Sequence, residues 1–328
     1  MKRIALFLAT ILSVSMLGLS ACAKKQGAID VYMPDGAPAL ALGLPMYEDK
    51  TDDDVNYHVV SSTVIQTYVT GESPEAEVCV LPVNLAAKLL GDGSVYRMAG
   101  VVTHGNMYLI SENGKAYTQA NATELIGKTV GVVQLNNVPG LTMKAALSAL
   151  GIACNDVSKG EEKSAEAVNL APVDVKTLSG ADLYLAPSPA VDKRVQGGNF
   201  SFVGSLQELY GGDKGYPQAA IVVKNDLIEK NPAWVEALLS KIEANSAWLN
   251  SADKALIADT VGACLAKGLS PTFTAENLTD GAIAHSGVWL QRMDDAAVAE
   301  TDLFLSRLVA IDATKAAVPS RAFYYALR

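Results

Sequence analysis

The side chains able to carry chemistry are few and set far apart. His58, His104 and His285 stand singly, with no HExxH or other metal-ligand spacing around them. Cys79, Cys154 and Cys264 are too widely separated for a metal site. Their odd count leaves at least one thiol unpaired, and all three read as small buried hydrophobes. The sequence does offer a corner at residues 29–40, IDVYMPDGAPAL: a β-branched and aromatic run, a Pro-Asp-Gly break, then Ala-Pro opening an Ala/Leu-rich segment. This is strand, loop and helix N-terminus. Backbone N–H groups of a first helical turn lack intrahelical partners and gain from the helix dipole, so such a corner presents donors at a strand's carboxyl end. Asp35 adds a carboxylate that suits a ligand or, equally, an Asx-turn or helix cap.

The elements that position this corner occur twice. VGVVQLNNVPGL at 130–141 sets against IDVYMPDGAPAL without a gap, Asp35 falling on Asn136 and Pro38 on Pro139. DLYLAPSPAVDK at 182–193 sets against EVCVLPVNLAAK at 77–88, Pro187 falling on Pro82. Gly215-Tyr216-Pro217-Gln218 before the strand at 219–224 parallels Gly105-Asn106 before the strand at 107–111. Three correspondences in one order read as duplicated architecture. Between them lie strands at 57–61 and 95–102 and helices at 64–70 and 85–90. The fold class is α/β. Strand, loop and helix repeated with right-handed crossovers predict two sheets covered by helices, their loops along one edge. Two such edges facing each other enclose a cleft with a hinge near Gly105 and Gly215. Closure brings the Asp35, Asn84, Asn136 and Ser188 loops onto one ligand. The expected division is lobe 1 at 29–104 plus 219–328 and lobe 2 at 105–218. Beyond 225 the pattern is helical, through 253–267, 274–292 and 294–311, with Trp234, Trp248 and Trp289 as packing residues in a C-terminal extension that braces lobe 1.

What precedes the first strand predicts the compartment. Lys2 and Arg3, an apolar run over 4–19 and Leu19-Ser20-Ala21-Cys22 make an export signal, too short for a spanning helix. The last four residues resemble the lipobox of bacterial lipoproteins, which implies acylation of Cys22, a tether at 23–28 and anchoring to the membrane outside the cytoplasm. Without Lys2 and Arg3 the chain carries 24 basic and 35 acidic residues, a net charge of −11. Such a surface repels nucleic acid and anionic lipid.

Together the lipobox, PDGAPALAL, EVCVLPVNLAAKLL, GKTVGVVQLNNVPGLTMKAALSALGI, YLAPSPAV, GYPQAAIVVKNDLIEKNP and the closing AFYY resemble ABC-transporter solute-binding proteins. The similarity is to the group that includes binding proteins for nitrate, alkanesulfonates, taurine and the thiamine pyrimidine precursor. It implies a two-lobed, type II periplasmic-binding fold that closes on a small molecule and delivers it to a membrane permease, as a monomer and without a cofactor. It also implies the ligand residues: Asp35, Gly36, Ala37, Ser62, Thr63, Val83, Asn84, His104, Asn106, Gln134, Asn136, Asn137, Ser188 and Tyr216. The Cys-rich motif of pyrimidine-precursor proteins is absent from the chain. None of these loops contains Arg, and Lys88 and Lys193 lie a helical turn beyond them, so anions are disfavoured, although helix N-termini could hold a sulfonate or nitrate without Arg; a neutral or weakly basic ligand is expected, such as a heterocycle stacked on Tyr216 or Tyr108, unless those tyrosines only cover the hinge. Two alternatives stay open. One is an enzyme of the same bilobal fold, for which Asp35 and His104 are the titratable candidates. The other is a ligand-sensing subunit docked on a receptor.

Overall fold

The computed structural model describes residues 27–157, 161–212 and 214–325. The export signal, Cys22 and tether residues 23–26 lie outside them. The chain first runs through β1 (Ile29–Pro34), α1 (Ala37–Ala41), α2 (Gly43–Glu48), β2 (Val55–Val60), β3 (Val78–Pro82), α3 (Val83–Leu90) and β4 (Tyr96–His104). It then crosses to β5 (Met107–Ser111), β6 (Thr129–Val133), α4 (Val138–Ala149), β7 (Cys154–Asp156), β8 (Val168–Val173), β9 (Leu183–Pro187), α5 (Ala190–Gln196), β10 (Ser201–Ser205) and α6 (Leu206–Tyr210). It returns as β11 (Pro217–Lys224), α7 (Asn225–Lys230), α8 (Pro232–Ser251), α9 (Lys254–Ala263), α10 (Asp280–His285), β12 (Val288–Arg292) and α11 (Asp295–Ile311).

These strands form two six-stranded sheets, ordered β12-β4-β11-β3-β1-β2 and β10-β5-β9-β6-β8-β7. Each sheet is the core of one lobe, and the two share a plan. In lobe 1, β1 pairs in parallel with β2 and β3. In lobe 2, β6 pairs in parallel with β8 and β9. Each set then takes an antiparallel strand from the other side of a crossing, β11 against β3 and β5 against β9. The sequence correspondence of 29–40 with 130–141 is thus a correspondence of place. Both segments are central strands running into a helix with Pro in its first turn, where a missing N–H costs nothing.

Burial accounts for the apolar runs. β1 is covered on both faces, Val31 and Met33 packing in one cluster with α8 and Tyr32 in another with α3, so it reads as continuously apolar. Asn245 on α8 is wholly buried yet satisfied: its Oδ1 accepts from Leu44 N at 2.7 Å and its Nδ2 donates to Leu40 O at 2.9 Å. One polar side chain thereby pins the junction of α1 and α2 to the core.

Four local expectations change. The helix expected at 64–70 is a single 3-10 turn, Ile65–Tyr68, among β-branched residues that disfavour a longer helix. Within 274–292 only α10 is helical. Gly287 at φ +65 turns the chain, and Trp289 lies on strand β12 beside β4. Cys79 is buried, but Cys154 is exposed on the outermost strand of lobe 2, and all three described thiols are unpaired. Finally, α11 does not brace lobe 1 alone: it packs on α4 of lobe 2. Its buried stripe Val298, Thr301, Phe304, Leu305 and Leu308 has helical spacing, which fixes a face but not which lobe receives it. No helix among the described residues is long and apolar enough to cross a membrane.

Candidate ligand cleft

The parallel strands of each lobe end at loops that carry most of the predicted residues, and the two lobes meet at two crossings. The first crossing is Gly105-Asn106 between β4 and β5. Gly105 has φ +62, and a Cβ there would stand 2.7 Å from Gln207 Cγ and 2.8 Å from Tyr216 Cε1. The second lies between α6 and β11, where Gly215 has φ +89 and a Cβ would stand 2.2 Å from the His104 carbonyl oxygen. Both positions therefore require glycine, for backbone conformation and for the close approach of the crossings.

On the lobe 1 side, Asp35 is fully used at home. Its Oδ1 accepts from Gly36 N at 2.8 Å, and its Oδ2 accepts from Thr272 N at 2.8 Å and Thr272 Oγ1 at 2.7 Å. It ties the β1–α1 loop to the segment before α10. Gly36 is the N-cap of α1 with φ 101, and Ala37 is buried. Ser62 and Thr63 are exposed, with Ser61 Oγ 2.9 Å from Thr63 Oγ1. Val83 is wholly buried. Asn84 is 3 % exposed; its Nδ2 donates to Lys315 O at 2.8 Å while its Oδ1 has no partner. Lys88, one turn on, gives its ammonium to the Thr314 carbonyl.

At the crossings, His104 is buried and stacks on Trp289 with ring centroids 3.6 Å apart, and its Nε2 lies 3.1 Å from Gln291 Oε1. Burial pushes the imidazole down to about 3, the Gln291 hydrogen bond only partly opposing it. The ring is therefore neutral near pH 7. Asn106 Oδ1 accepts from Gln218 Nε2 at 2.9 Å, and its carbonyl accepts from Ser188 N at 3.1 Å. Tyr216 is wholly buried and stacks on Phe304 of α11 with centroids 5.6 Å apart; burial raises its phenol well above the usual range. It is thus packed within the core and does not face solvent as a stacking platform.

On the lobe 2 side, Gln134, Asn136 and Asn137 are exposed around the N-terminus of α4, Gln134 with φ 59. Ser188 is buried. Its Oγ donates to Asp192 Oδ2 at 2.7 Å and lies 3.2 Å from Ala282 O on α10. Asp192 Oδ1 in turn lies 2.7 Å from His285 Nδ1. Burial alone would raise the Asp192 carboxyl, but the hydrogen bonds from His285 and Ser188 outweigh it and hold the group below the usual carboxylate range. Tyr108 and Phe202 cap the His285 ring at centroid distances of 4.5 and 5.0 Å. Burial first, and the Asp192 charge second, push the Tyr108 phenol up to about 12.

The predicted residues thus fall into four groups: exposed positions at 62–63, 134 and 136–137; positions at 35–37 and 83–84 that are buried or bonded within lobe 1; His104, Asn106 and Tyr216 at the crossings; and Ser188 in a contact across the lobes. The contact partners Thr272, His285, Asp192, Gln218 and Lys315 were not among the candidates. Asp192 lies only four residues beyond Ser188 and carried a local signal, whereas nothing local marks the others: Thr272 meets Asp35 across 237 residues and Lys315 meets Asn84 across 231. A groove of about 470 Å³ beside α6, lined by Thr118, Gln119, Ser205, Gln207, Glu208 and Gly212, includes none of the candidates. Among the described residues no group of three or more His, Cys, Asp or Glu is placed to hold a metal ion.

No protein-family model and no curated protein sequence matches the chain. Solved structures do. An ABC transporter structure from Parabacteroides distasonis superposes with a TM-score of 0.66 at 15% identity, covering 92% of this chain and 100% of that one. The periplasmic aliphatic sulphonate binding protein of Escherichia coli gives 0.63 at 13% identity, covering 90% and 96%. The fold is that of the two-lobed periplasmic binding proteins. The alkanesulfonate-binding protein of Xanthomonas axonopodis pv. citri, bound to MOPS, extends the likeness at a TM-score of 0.57 and 11% identity, covering 90% and 97%. In this type II binding fold the two sheets, the paired crossings and the C-terminal helix spanning both lobes form one architecture. At such identities the likeness speaks to fold and leaves the ligand to the side chains of this chain.

Proposed function

We propose that this protein is an extracytoplasmic solute-binding lipoprotein that captures a small polar molecule between its lobes and hands it to an ABC-transporter permease. The observation that carries the reading is the pairing of a glycine hinge with a polar contact on one flank. Gly105 and Gly215 take the left-handed backbone that lets the two crossings lie against each other, where the hinge is proposed, while Asp192–His285 and Ser188–Ala282 join the lobes through a few hydrogen bonds that water can replace. The loops at 35–37, 62–63, 83–84, 134–137 and 188 are the proposed ligand contacts, with lobe 1 at 29–104 plus 219–328 and lobe 2 at 105–218. The chain acts as a monomer anchored through a lipid on Cys22. Binding is favoured over catalysis because both titratable candidates are otherwise engaged, Asp35 by Gly36 and Thr272 and His104 by Trp289 and Gln291.

A thermal-shift and calorimetric ligand screen tests the reading. A true ligand at a hundredfold excess over its dissociation constant stabilises the folded state by about 2.7 kcal/mol and should compact the particle in solution scattering. Conversion of that ligand to product would sink the transport reading. Metabolic labelling with radioactive palmitate tests the anchor separately: label should enter the wild-type chain and be lost in Cys22→Ser.

A further inference from the structure

Helix α10 is rooted in one lobe and bonded to the other. Ala282 and Ile283 are buried in the same apolar cluster as Val31 and Met33 of β1, which fixes the helix to lobe 1. Its last turn meets lobe 2. His285 Nδ1 lies 2.7 Å from Asp192 Oδ1, Asp192 Oδ2 accepts from Ser188 Oγ at 2.7 Å, and Ser188 Oγ lies 3.2 Å from the Ala282 carbonyl oxygen. The two ends of the ion pair differ in access. The Asp192 side chain is 7 % exposed and that of His285 30 %, so the imidazole can exchange a proton with solvent while the carboxylate it faces is little screened.

An imidazole ordinarily changes charge between about pH 5 and about pH 8, so the charges around His285 decide what its protonation does. From α5 comes Asp192. Burial alone would raise its carboxyl, but the hydrogen bonds from His285 and Ser188 hold it below the usual carboxylate range, and it stays ionised. From β5 comes Tyr108, whose phenol burial pushes up to about 12, and from β10 comes Phe202; neither brings a charge. Lys193 follows Asp192 on α5, but adjacent helical positions do not share a face, and Arg194 is given to the Lys176 carbonyl. On α8, against which α10 also packs, Glu236 and Glu243 are spent on Arg292, and Lys241 on Asp49. Asp280 of α10 itself is paired with Lys254 at 3.0 Å. The charge that His285 meets is that of Asp192.

We propose that Asp192 and His285 form a proton-operated latch between the lobes, tightened when His285 is protonated and slackened when it is neutral. This rests on the solute-capture reading and adds its regulation. The charged pair exists only while the lobes are together, so closing is linked to uptake of a proton. The added hold is present at the acid end of the imidazole range and lost as pH rises through it. A solute that prefers the closed form is then held more firmly on the acid side. The other two imidazoles of the chain do not share this role: His58 bonds Asp30 within lobe 1, and His104 stays neutral down to about 3.

The test is small-angle neutron scattering on the solute-free, full-length chain in contrast-matched detergent, read between about pH 8 and about pH 5. The expected result is a radius of gyration that falls with pH in the wild type and in Lys193→Met, and that stays at its alkaline value in His285→Gln and Asp192→Asn. Asp192→Asn removes the charge and keeps an acceptor for Ser188, so it carries the test if His285→Gln does not fold. A flat profile in the wild type, or a fall that persists in a folded Asp192→Asn, overturns the latch. Loss of the response in Lys193→Met would assign it to that ammonium and overturn the pair. No solute enters this measurement, so its failure leaves solute capture standing, and a ligand screen that fails beside an intact pH response counts against capture alone.

Discussion

The two flanks on which the lobes meet are built from different materials. On one, α11 lies against α4 of lobe 2 with Phe304, Leu305 and Leu308 buried, and Phe304 stacks on Tyr216 beside the second crossing. On the other, α10 meets α5 through Ser188–Ala282 and Asp192–His285, with the His285 side chain still 30 % exposed. An apolar seam gains by excluding water and has no substitute for its contacts, whereas polar bonds exchange for bonds to water at little net cost. On the solute-capture reading proposed above, the apolar α11 flank is the pivot and the polar α10–α5 flank, which Ser188 N ties to the Asn106 carbonyl at the first crossing, is the side proposed to open, the mouth.

The largest effect should come from breaking the pivot. Phe304→Ala is expected to cost about 3–5 kcal/mol in denaturant unfolding, because it removes a buried ring from a seam that both lobes share. Breaking the mouth should cost less and act on shape. Asp192→Ala strips the partner from Ser188 and His285 and is expected to cost about 1–3 kcal/mol. It should also enlarge the radius of gyration in solution scattering, and an unchanged radius would equate the two flanks.

A pH titration sharpens the same contrast at the crossings. His104 is neutral in the fold and titrates near 3, below the unfolded value of 6.5. The unfolded chain therefore takes up a proton that the folded chain refuses, and the stability tied to this ring is present above pH 6.5 and lost as pH falls toward 3. The loss has a slope of up to about 1.4 kcal/mol per pH unit. His104→Phe should flatten this part of the stability profile; if it does not, another group carries the slope. The smallest effect is expected at His285→Gln, which keeps a donor for Asp192. It should cost roughly 0.5–1.5 kcal/mol, with only a slight opening of the mouth by scattering.

Much of the fold could be read from the sequence because its signals are local and repeated. Strand-loop-helix corners at 29–40 and 130–141 share their proline spacing, and both became central strands feeding helices. The loops were legible as loops. What the loop side chains do was not, since the partners of Asp35 and Asn84 arrive from more than 200 residues away. Tyr216 shows the same limit from the other direction. Its aromatic ring beside a glycine hinge suggested a ligand platform, but Phe304, 88 positions on, covers it. A helical stripe reports that a face is buried and is silent on its partner, which is why the contact of α11 with α4 of lobe 2 was missed when the helical tail was read as bracing lobe 1.

The exchange of strands between the sheets also sets an order of assembly. Every strand of the lobe 2 sheet lies within one uninterrupted stretch, β5 through β10, whereas the lobe 1 sheet needs β11 between β3 and β4 and β12 at its edge. As the chain is made, lobe 1 therefore emerges first and can pair β1 with β2 and β3, but it cannot close its sheet, because β3 and β4 are joined only by β11, more than a hundred residues downstream. Pairings of such long range are slow to form. The lobe encoded second is the one that can finish first, and it does so while the other is still held open by its own topology.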